Sequence, residues 1–323
     1  MKPNYVIVKA KGGMGNRMLC AATGLLYAQL SGRRVIVDWS DITYSNDGTN
    51  VFTSFFRCPT VNLADSLPVD GSVRPALWRG QLGRSVSQML HEHDPNKHNS
   101  IRIHRKYSID VSCIDYEEDV VVFWYYKERL RALQSVLARC GHKYAGLTRT
   151  EILRRMLTED LLPAWPVRER SERFRREHWG EPVIGVHVRY TDRCTDLERY
   201  EAPLRRFLRS TPRATVFLCT DNASVQERYR QRFPNLITTP KWFPHGYQTM
   251  HQNSECPNKV TNGIEALVDM YLLAGCDYLI YPGGSTFSWI ARVLSGLPAE
   301  RVVDVERFDL AVRLKRWARE ALA

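Results

Sequence analysis

The second half of the chain alternates short β-branched runs with segments of helical periodicity, and this alternation constrains the fold more than any other feature. Strands are predicted at residues 183–188, 215–219, 236–238, 278–281 and 302–305. Helices are predicted between them at residues 202–209, 224–232, 263–274 and 286–294. Strands that are joined in this way by helices lie parallel, so the pattern predicts a doubly wound α/β sheet with helices on both faces.

The first forty residues predict a βαβ unit, in which a glycine-rich turn joins the first strand to a helix. The strands are expected at residues 5–10 and 33–39, and the helix at residues 18–30. Residues 41–118 carry no periodicity that assigns them an element. Beyond them, a strand is predicted at residues 120–124 and helices at residues 129–138 and 150–157.

A length of 323 residues predicts two domains. Pro163 and Pro166 break the helical periodicity and predict a linker between the domains. We therefore expect an N-terminal domain at residues 1–165 and a C-terminal domain at residues 166–305. The tail at residues 306–323 places Leu310 and Leu314 at helical spacing, which predicts a final packed helix.

The composition excludes some classes of protein and leaves others open. The first apolar run is broken by Lys9 and Lys11, so we expect no signal peptide and a cytoplasmic location. Eight cysteines occur singly, without metal-ligand spacing, and are expected to be free thiols. A net charge of +11 suits nucleic acid, an anionic membrane surface or a phosphorylated small molecule alike. The arginines of residues 168–177 alternate with glutamates, which favours a solvated helix over a nucleic-acid surface.

One polar turn follows the strand at residues 183–188, at the edge where parallel sheets bind ligands. It contains Arg189, whose planar guanidinium suits the oxygens of a diphosphate. A structural ion pair with Asp192 or Asp221 explains this arginine equally well.

Two further features point to an anionic or nucleotide ligand. Gly284, Ser285 and Thr286 lie at a predicted helix start, where backbone N–H groups bind anions, although an ordinary helix cap also accounts for the serine. Asp269 lies in a helix that is apolar nearly all round, so its carboxylate requires a partner. A nucleoside or a basic side chain of the protein can supply that partner.

Several blocks of the sequence resemble the fucosyltransferase superfamily, most closely the NodZ-like and α-1,6-fucosyltransferases of glycosyltransferase family 23. The blocks lie at residues 184–189, 216–221 and 266–274, continuing to residue 287, with weaker matches at residues 27–29, 37–39 and 55–56. The glycine segment with Gly13, Gly15 and Asn16, together with residues 285–289, also resembles α-1,2-fucosyltransferases, so the linkage stays open.

The resemblance implies a GT-B architecture of two Rossmann-like doubly wound domains facing a cleft, with an inverting mechanism. The C-terminal domain would hold GDP-fucose, and the N-terminal domain, with the glycine segment, would lie on the acceptor side. The donor-site residues implied are His187, Arg189, Arg193, Asp221, Asp269, Gly284, Ser285 and Thr286. Many eukaryotic relatives carry a second arginine directly after the first, where this chain has Tyr190, so a clamp of two arginines is in doubt.

The proposed chemistry needs a base and no metal. A fixed arginine and backbone donors would stabilise the charge that grows on the departing GDP. A DxD motif, which would indicate a metal chelate, is absent from the sequence, so we expect no divalent cation and no other cofactor. The base for the acceptor hydroxyl is expected among Asp192, Asp196 and Glu198, with Glu198 slightly favoured. Each of the three also fits a solvated loop charge.

The acceptor and some rival functions stay open. We expect a glycan, oligosaccharide or lipid-linked glycan acceptor of polysaccharide biosynthesis, and the basic surface would suit peripheral contact with the bacterial inner membrane. The aromatic segment at residues 242–247 would stack on a sugar or pack internally. The rivals are a GT-B transferase for another nucleotide-diphosphate sugar, a non-catalytic nucleotide-sugar binder, and a nucleic-acid binder, which we do not expect.

Overall fold

A computed structural model describes residues 4–69, 71–95, 100–180, 182–191, 196–244, 254–310 and 314. The chain divides into two compact units, residues 1–163 and 164–322. The boundary falls inside the segment that was predicted as a linker, but that segment is not irregular. Pro163 lies in a short strand, and Pro166 lies in the first turn of the next helix, where the missing N–H of proline is not needed.

The first unit contains a parallel sheet and several short elements. Its strands are β1 (Tyr5–Lys9), β2 (Arg34–Asp38), β3 (Phe56–Arg57), β4 (Val73–Arg74), β5 (Val120–Phe123) and β6 (Leu162–Pro163). Its helices are α1 (Met14–Ser31), α2 (Phe52–Phe55), α3 (Val86–His93), α4 (Ile101–Tyr107), α5 (Leu130–Arg139) and α6 (Arg149–Arg155), followed by a π-helical turn at Met156–Asp160. The parallel sheet has the order β2-β1-β5-β4, and β3 pairs with β6 in antiparallel fashion.

The predicted βαβ unit is present, with one correction. Helix α1 begins at Met14 rather than at residue 18, so Gly15 and Asn16 lie in its first turn and not in a loop. Only Gly12, with a φ of 84°, adopts a conformation that favours glycine in this segment. The unassigned residues 41–118 form elements of two to eight residues, which are too short to show periodicity.

The second unit is a five-stranded parallel sheet of order β11-β10-β7-β8-β9. Its strands are β7 (Val183–Val188), β8 (Thr215–Thr220), β9 (Leu236–Ile237), β10 (Tyr278–Tyr281) and β11 (Val302–Asp304). Its helices are α7 (Trp165–His178), α8 (Glu198–Ser210), α9 (Ala223–Arg232), α10 (Lys259–Ala274) and α11 (Thr286–Ser295). These bounds agree with the predicted strands and helices to within a few residues, except that α8 and α10 each begin four residues earlier.

Side chains of this sheet alternate between two helical layers. Ile184 and Val186 of β7 pack in an apolar core with Leu204 of α8 and Tyr229 of α9. On the opposite face Gly185 lies against α10, where an added Cβ would be 2.8 Å from the Cys276 sulfur beyond the helix end. Helices therefore cover both faces, and the mixed α/β fold with parallel sheets that the alternation predicts is confirmed.

Two predictions about the surface have different outcomes. Helix α7 carries its alternating charges as ion pairs, with Arg173 3.3 Å from Glu169, so the solvated helix is confirmed. The predicted C-terminal packing helix at residues 306–323 falls largely outside the described residues and stays a prediction. Two residues of its apolar face, Leu310 and Leu314, are 67% and 57% exposed.

Candidate functional site

The order of strands in the second unit locates the candidate site. The sheet runs outward in both directions from β7 and β10, which pair in parallel and mark the point where the strand order reverses. Ligands of open parallel sheets bind at the carboxyl ends of the strands at this point. The turn with Arg189 follows β7, and the turn with Gly284 and Ser285 follows β10, so two of the predicted polar turns flank it.

Asp221, just beyond β8, fixes the backbone of the arginine turn. Its Oδ1 accepts a hydrogen bond of 2.7 Å from the Tyr190 amide, and its Oδ2 accepts one of 2.7 Å from the Thr191 hydroxyl. The carboxylate itself is half-buried. Asp221 therefore shapes the turn that carries Arg189, a role that the sequence did not indicate.

His187 is buried beneath the same turn, near the end of β7. Its Nδ1 hydrogen-bonds the Ser288 hydroxyl, and its ring lies 5.0 Å from that of Phe287 in α11. Burial, together with the charges of Arg189 and Lys241, lowers the pKa of His187 to about 3. The imidazole is therefore neutral at physiological pH and connects β7 to α11.

The glycine turn after β10 is held by carboxylates of the protein. The Gly283 amide donates to Asp304 at 2.9 Å, and the Gly284 amide donates to Glu306 at 2.6 Å. Both amides are therefore already hydrogen-bonded within the protein, and the expectation that Gly284 belongs to the donor site stays a prediction. Asp304 and Glu306 were not identified from the sequence.

Ser285 differs from its neighbours in this turn. It precedes the first residue of α11, Thr286, but its side chain does not cap the helix. The residue is 2% exposed, and its Oγ has no hydrogen-bond partner among the described residues. An unsatisfied buried hydroxyl is costly, and a ligand oxygen at the α11 N-terminus would satisfy it.

Asp269 in α10 is paired with a basic side chain of the protein, which was one of the two alternatives that the sequence left open. Its Oδ1 accepts a 2.5 Å hydrogen bond from Thr239, and its Oδ2 is bonded to the Lys241 ammonium and, at 3.3 Å, to the Cys219 thiol. The residue is only 3% exposed. The partner of Asp269 was expected in general terms, but Lys241 itself was not identified, because the loop after β9 shows no pattern.

The candidate bases lie around the start of α8. Asp192, like the donor-site candidate Arg193, lies outside the described residues. Asp196 is exposed, and its Oδ1 accepts a 3.0 Å hydrogen bond from the Glu198 amide. The Glu198 carboxylate forms an ion pair with Arg205. Asp196 and Glu198 therefore both make local contacts that are usual for solvated charges at the start of a helix.

The glycine segment of the first unit lies at the carboxyl end of β1. Gly13 immediately precedes α1, and the buried Arg17 donates to the Gly12 carbonyl at 2.7 Å and to Asp41 at 2.6 Å. An added Cβ at Gly12 would lie 3.0 Å from the side-chain nitrogen (Nδ2) of Asn16. Arg17 thus ties the segment to the loop after β2, and it too was not identified from the sequence.

Three further expectations concern metals, membranes and aromatic residues. Among the described residues, no group of three or more His, Cys, Asp or Glu side chains is arranged to hold a metal ion. None of the helices in the described ranges is long and apolar enough to cross a bilayer. Of the aromatic segment, Trp242 is half-buried and its amide lies 3.4 Å from Glu265, whereas residues 245–247 lie outside the described residues.

Comparisons with known proteins give the family and agree with the mixed α/β fold. The family described as nodulation protein Z (NodZ) matches residues 2–316. Nodulation protein Z of Azorhizobium caulinodans is 30% identical over 338 residues, which covers 95% of this chain and 92% of the relative.

Two solved structures are similar in fold. One is NodZ α-1,6-fucosyltransferase soaked with GDP-fucose, with a TM-score of 0.63, 23% identity and coverage of 96% of this chain and 97% of the other. The second is a mutant of Arabidopsis thaliana FUT1 in complex with GDP, with a TM-score of 0.57, 16% identity and coverage of 93% and 72%. The resemblance expected from the sequence is confirmed, and the chain belongs to the nodulation protein Z (NodZ) family.

Proposed function

We propose that this chain is an inverting, metal-independent fucosyltransferase that transfers fucose from GDP-fucose to a hydroxyl of a glycan, oligosaccharide or lipid-linked glycan. The linkage formed is of the α-1,6 or α-1,2 type. The observation that carries the proposal is the pair of turns after β7 and β10, which offer Arg189 and the unpartnered Ser285 hydroxyl at the point of strand-order reversal. Family membership and the GDP-fucose soaked into a related structure support it.

The architecture that we propose is GT-B. The second unit, approximately residues 166–305, would bind the GDP-sugar, and the first unit, approximately residues 1–165, would bind the acceptor. Two parallel sheets, each in its own compact unit, support this division of roles. Gly13, Gly15 and Asn16 lie at the corresponding edge of the first sheet and are the proposed acceptor-side segment.

In the donor site, Arg189 and Arg193 would contact the diphosphate from one side. Ser285, with the amide of Thr286 in the first turn of α11, would contact it from the other. Gly284 would support this turn, because its amide is held by Glu306. His187 would likewise support both turns as a neutral side chain.

Asp221 remains suited to a direct contact with the guanosine part. Each oxygen of its half-buried carboxylate accepts one hydrogen bond from the arginine turn and has capacity for another. The Asp269 carboxylate is already bonded to three side chains, those of Thr239, Lys241 and Cys219. We therefore assign Asp269 an indirect role in donor binding.

The reaction would break the bond between fucose C1 and the GDP oxygen while the acceptor oxygen attacks from the opposite face. Positive charge develops on the sugar, and negative charge develops on the diphosphate. Arg189, the Ser285 hydroxyl and the α11 N-terminus are fixed donors that would stabilise the departing GDP without a metal ion.

A carboxylate after the arginine turn would take the proton of the acceptor hydroxyl. Asp192, Asp196 and Glu198 remain the candidates, and we now favour Asp196 over Glu198. A proton transfer to Glu198 would break its ion pair with Arg205, whereas the contact of Asp196 within the described part of the chain is a hydrogen bond from the Glu198 amide.

The proposal is tested by calorimetric titration of GDP, GDP-fucose, GMP and UDP in EDTA into the wild type and into Arg189→Ala. We expect GDP and GDP-fucose to bind selectively and GMP to bind more weakly. Loss of the Arg189 guanidinium should weaken GDP about ten- to hundredfold, because a charge-assisted hydrogen bond contributes about 1.5–3 kcal/mol.

The matched control is Arg139→Ala, which removes an exposed arginine from α5 of the other unit and should leave the affinity unchanged. Equal binding of UDP and GDP would favour another nucleotide-sugar donor. GDP-fucose binding without fucose transfer to any of a broad set of glycans would favour a non-catalytic binder. No binding of guanine nucleotides would overturn the proposal.

A further inference from the structure

Lys241 is a buried cation in the second unit for which no role has been assigned so far. It lies in the loop after β9, and its side chain is 3% exposed. The ammonium is bonded to the Asp269 carboxylate and lies 3.4 Å from the Thr220 carbonyl oxygen. An ammonium has three N–H donors, and these two contacts are its hydrogen bonds within the described residues, so one donor is left.

The ammonium lies on the ligand side of the sheet. Thr220 is the last residue of β8, and the next residue, Asp221, holds the turn with Arg189. The charges of Arg189 and Lys241 both lower the pKa of His187, which lies near the end of β7. The carboxyl ends of β7, β8 and β9 thus bring Lys241 towards the proposed diphosphate site.

Lys241 is charged in this environment. Burial lowers its pKa, but the neighbouring Asp269 carboxylate outweighs this effect, and the pKa of Lys241 is raised overall. Asp269 is in turn held by the Thr239 hydroxyl, which fixes the position of the carboxylate. The ammonium is therefore a pre-positioned positive charge and not a mobile surface lysine.

The donor needs more than one positive charge. A diphosphate carries at least two negative charges, and the residue after Arg189 is the uncharged Tyr190. We propose that Lys241 is a further cation of the donor site, with its remaining N–H directed at a diphosphate oxygen and Asp269 as its positioning residue. This inference rests on the proposed GDP-fucose donor and adds a diphosphate-binding residue to it.

The alternative is that Lys241 only neutralises a buried carboxylate. Removing the lysine alone would leave Asp269 buried without its cation, which destabilises a protein strongly. The test therefore compares the wild type with Asp269→Asn combined with Lys241→Met, which removes both charges together and leaves neither unpaired. Asp269→Asn alone is the second variant and should also weaken GDP, because the ammonium then loses the carboxylate that positions it and raises its pKa.

Calorimetry in EDTA then measures guanosine, GMP and GDP against both variants and the wild type. If Lys241 contacts the diphosphate, the double variant should bind GDP about ten- to hundredfold more weakly than the wild type and should change guanosine affinity less than twofold. A matched control is Lys106→Met, which removes another lysine paired with a carboxylate, Asp94, at 2.6 Å in the first unit. This control should not alter GDP affinity.

Three results would overturn the inference. Equal losses of guanosine and GDP would show that Lys241 only shapes the nucleoside site, and unchanged GDP affinity in a folded double variant would show that it only balances charge. If the wild type binds GDP while these outcomes occur, the proposed function stands and only the role of Lys241 fails. If the wild type binds no guanine nucleotide, both fail together.

Discussion

At the scale of single residues, the candidate site is dominated by buried polar groups whose partners come from distant parts of the chain. His187 has Ser288 as its partner, and Asp269 has Thr239 and Lys241. Each such group is tolerated in the interior only because it is hydrogen-bonded or neutral. The protonation of His187 is therefore coupled to stability.

His187 provides a prediction about pH. Its pKa falls from 6.5 to about 3 on folding, so the unfolded state binds the proton more tightly. The stability that the neutral imidazole contributes is complete above about pH 6.5 and is lost as pH falls towards 3, with a slope approaching about 1.4 kcal/mol per pH unit. His187→Asn should therefore flatten the dependence of the unfolding free energy on pH in this window.

Denaturant titrations at several pH values measure this slope. His91→Asn, at an exposed position of α3, controls for the general loss of an imidazole. An unchanged slope in His187→Asn would mean that the histidine is not kept neutral by burial.

The sequence identified some of these residues and missed others for a physical reason. Asp269 was identifiable because a carboxylate in an apolar helix demands a partner. The identity of that partner depended on the path of residues 238–244, which have neither helical nor strand periodicity. Glu306 and Asp304 were missed because their contacts to the glycine turn arise only when β11 pairs with β10.

At the scale of elements, close packing between helix and sheet sets the geometry of the first unit. Gly24 in α1 lies so near β1 that an added Cβ would be 2.2 Å from a methyl carbon of Val8. Any side chain at this position forces the helix away from the sheet. The glycine segment before α1 would move with the helix.

Gly24→Ala should therefore destabilise the chain by about 1–3 kcal/mol through overpacking. Combining it with Val8→Ala should cost less than the sum of the two single changes, because the second change makes room for the first. Urea denaturation measures both effects. Gly83→Ala is the matched control, since a Cβ there meets no atom within 4 Å. Strict additivity of the two changes would contradict the proposed contact.

Elements were predictable wherever periodicity extended over enough residues. The five strands of the second sheet were found because each is a run of apolar residues between clear turns. The secondary structure of residues 41–118 could not be predicted from the sequence. Elements such as β4 and α2 have only two and four residues, which is too few to show periodicity. The start of α1 was misplaced because Gly13 and Gly15 suggest a loop. Neither of these two glycines has a positive φ, whereas the preceding Gly12 does.

At the scale of the whole molecule, two parallel sheets with separate cores account for most of the chain. Each parallel sheet has one edge at which the carboxyl ends of its strands lie, and ligands bind at such edges. The proposed reaction has two substrates, one for each edge. The length of 323 residues and the βα alternation predicted two domains, and the compact units meet at residues 163 and 164. The sequence does not specify the acceptor, because sugar-binding surfaces arise from short loops rather than from periodic elements.

The net charge of +11 belongs to the whole molecule and leads to a prediction about location. If the acceptor is lipid-linked, the enzyme must work at a membrane surface, and each Lys or Arg near an anionic surface contributes about 1 kcal/mol of attraction. We expect the protein to float with vesicles of anionic phospholipid at low salt and to be released when the Debye length falls to about 8 Å at 0.15 M salt. Vesicles of neutral phosphatidylcholine are the control. Absence of flotation at low salt would favour a freely diffusing glycan or oligosaccharide as the acceptor, because the charge would then serve the phosphorylated donor alone.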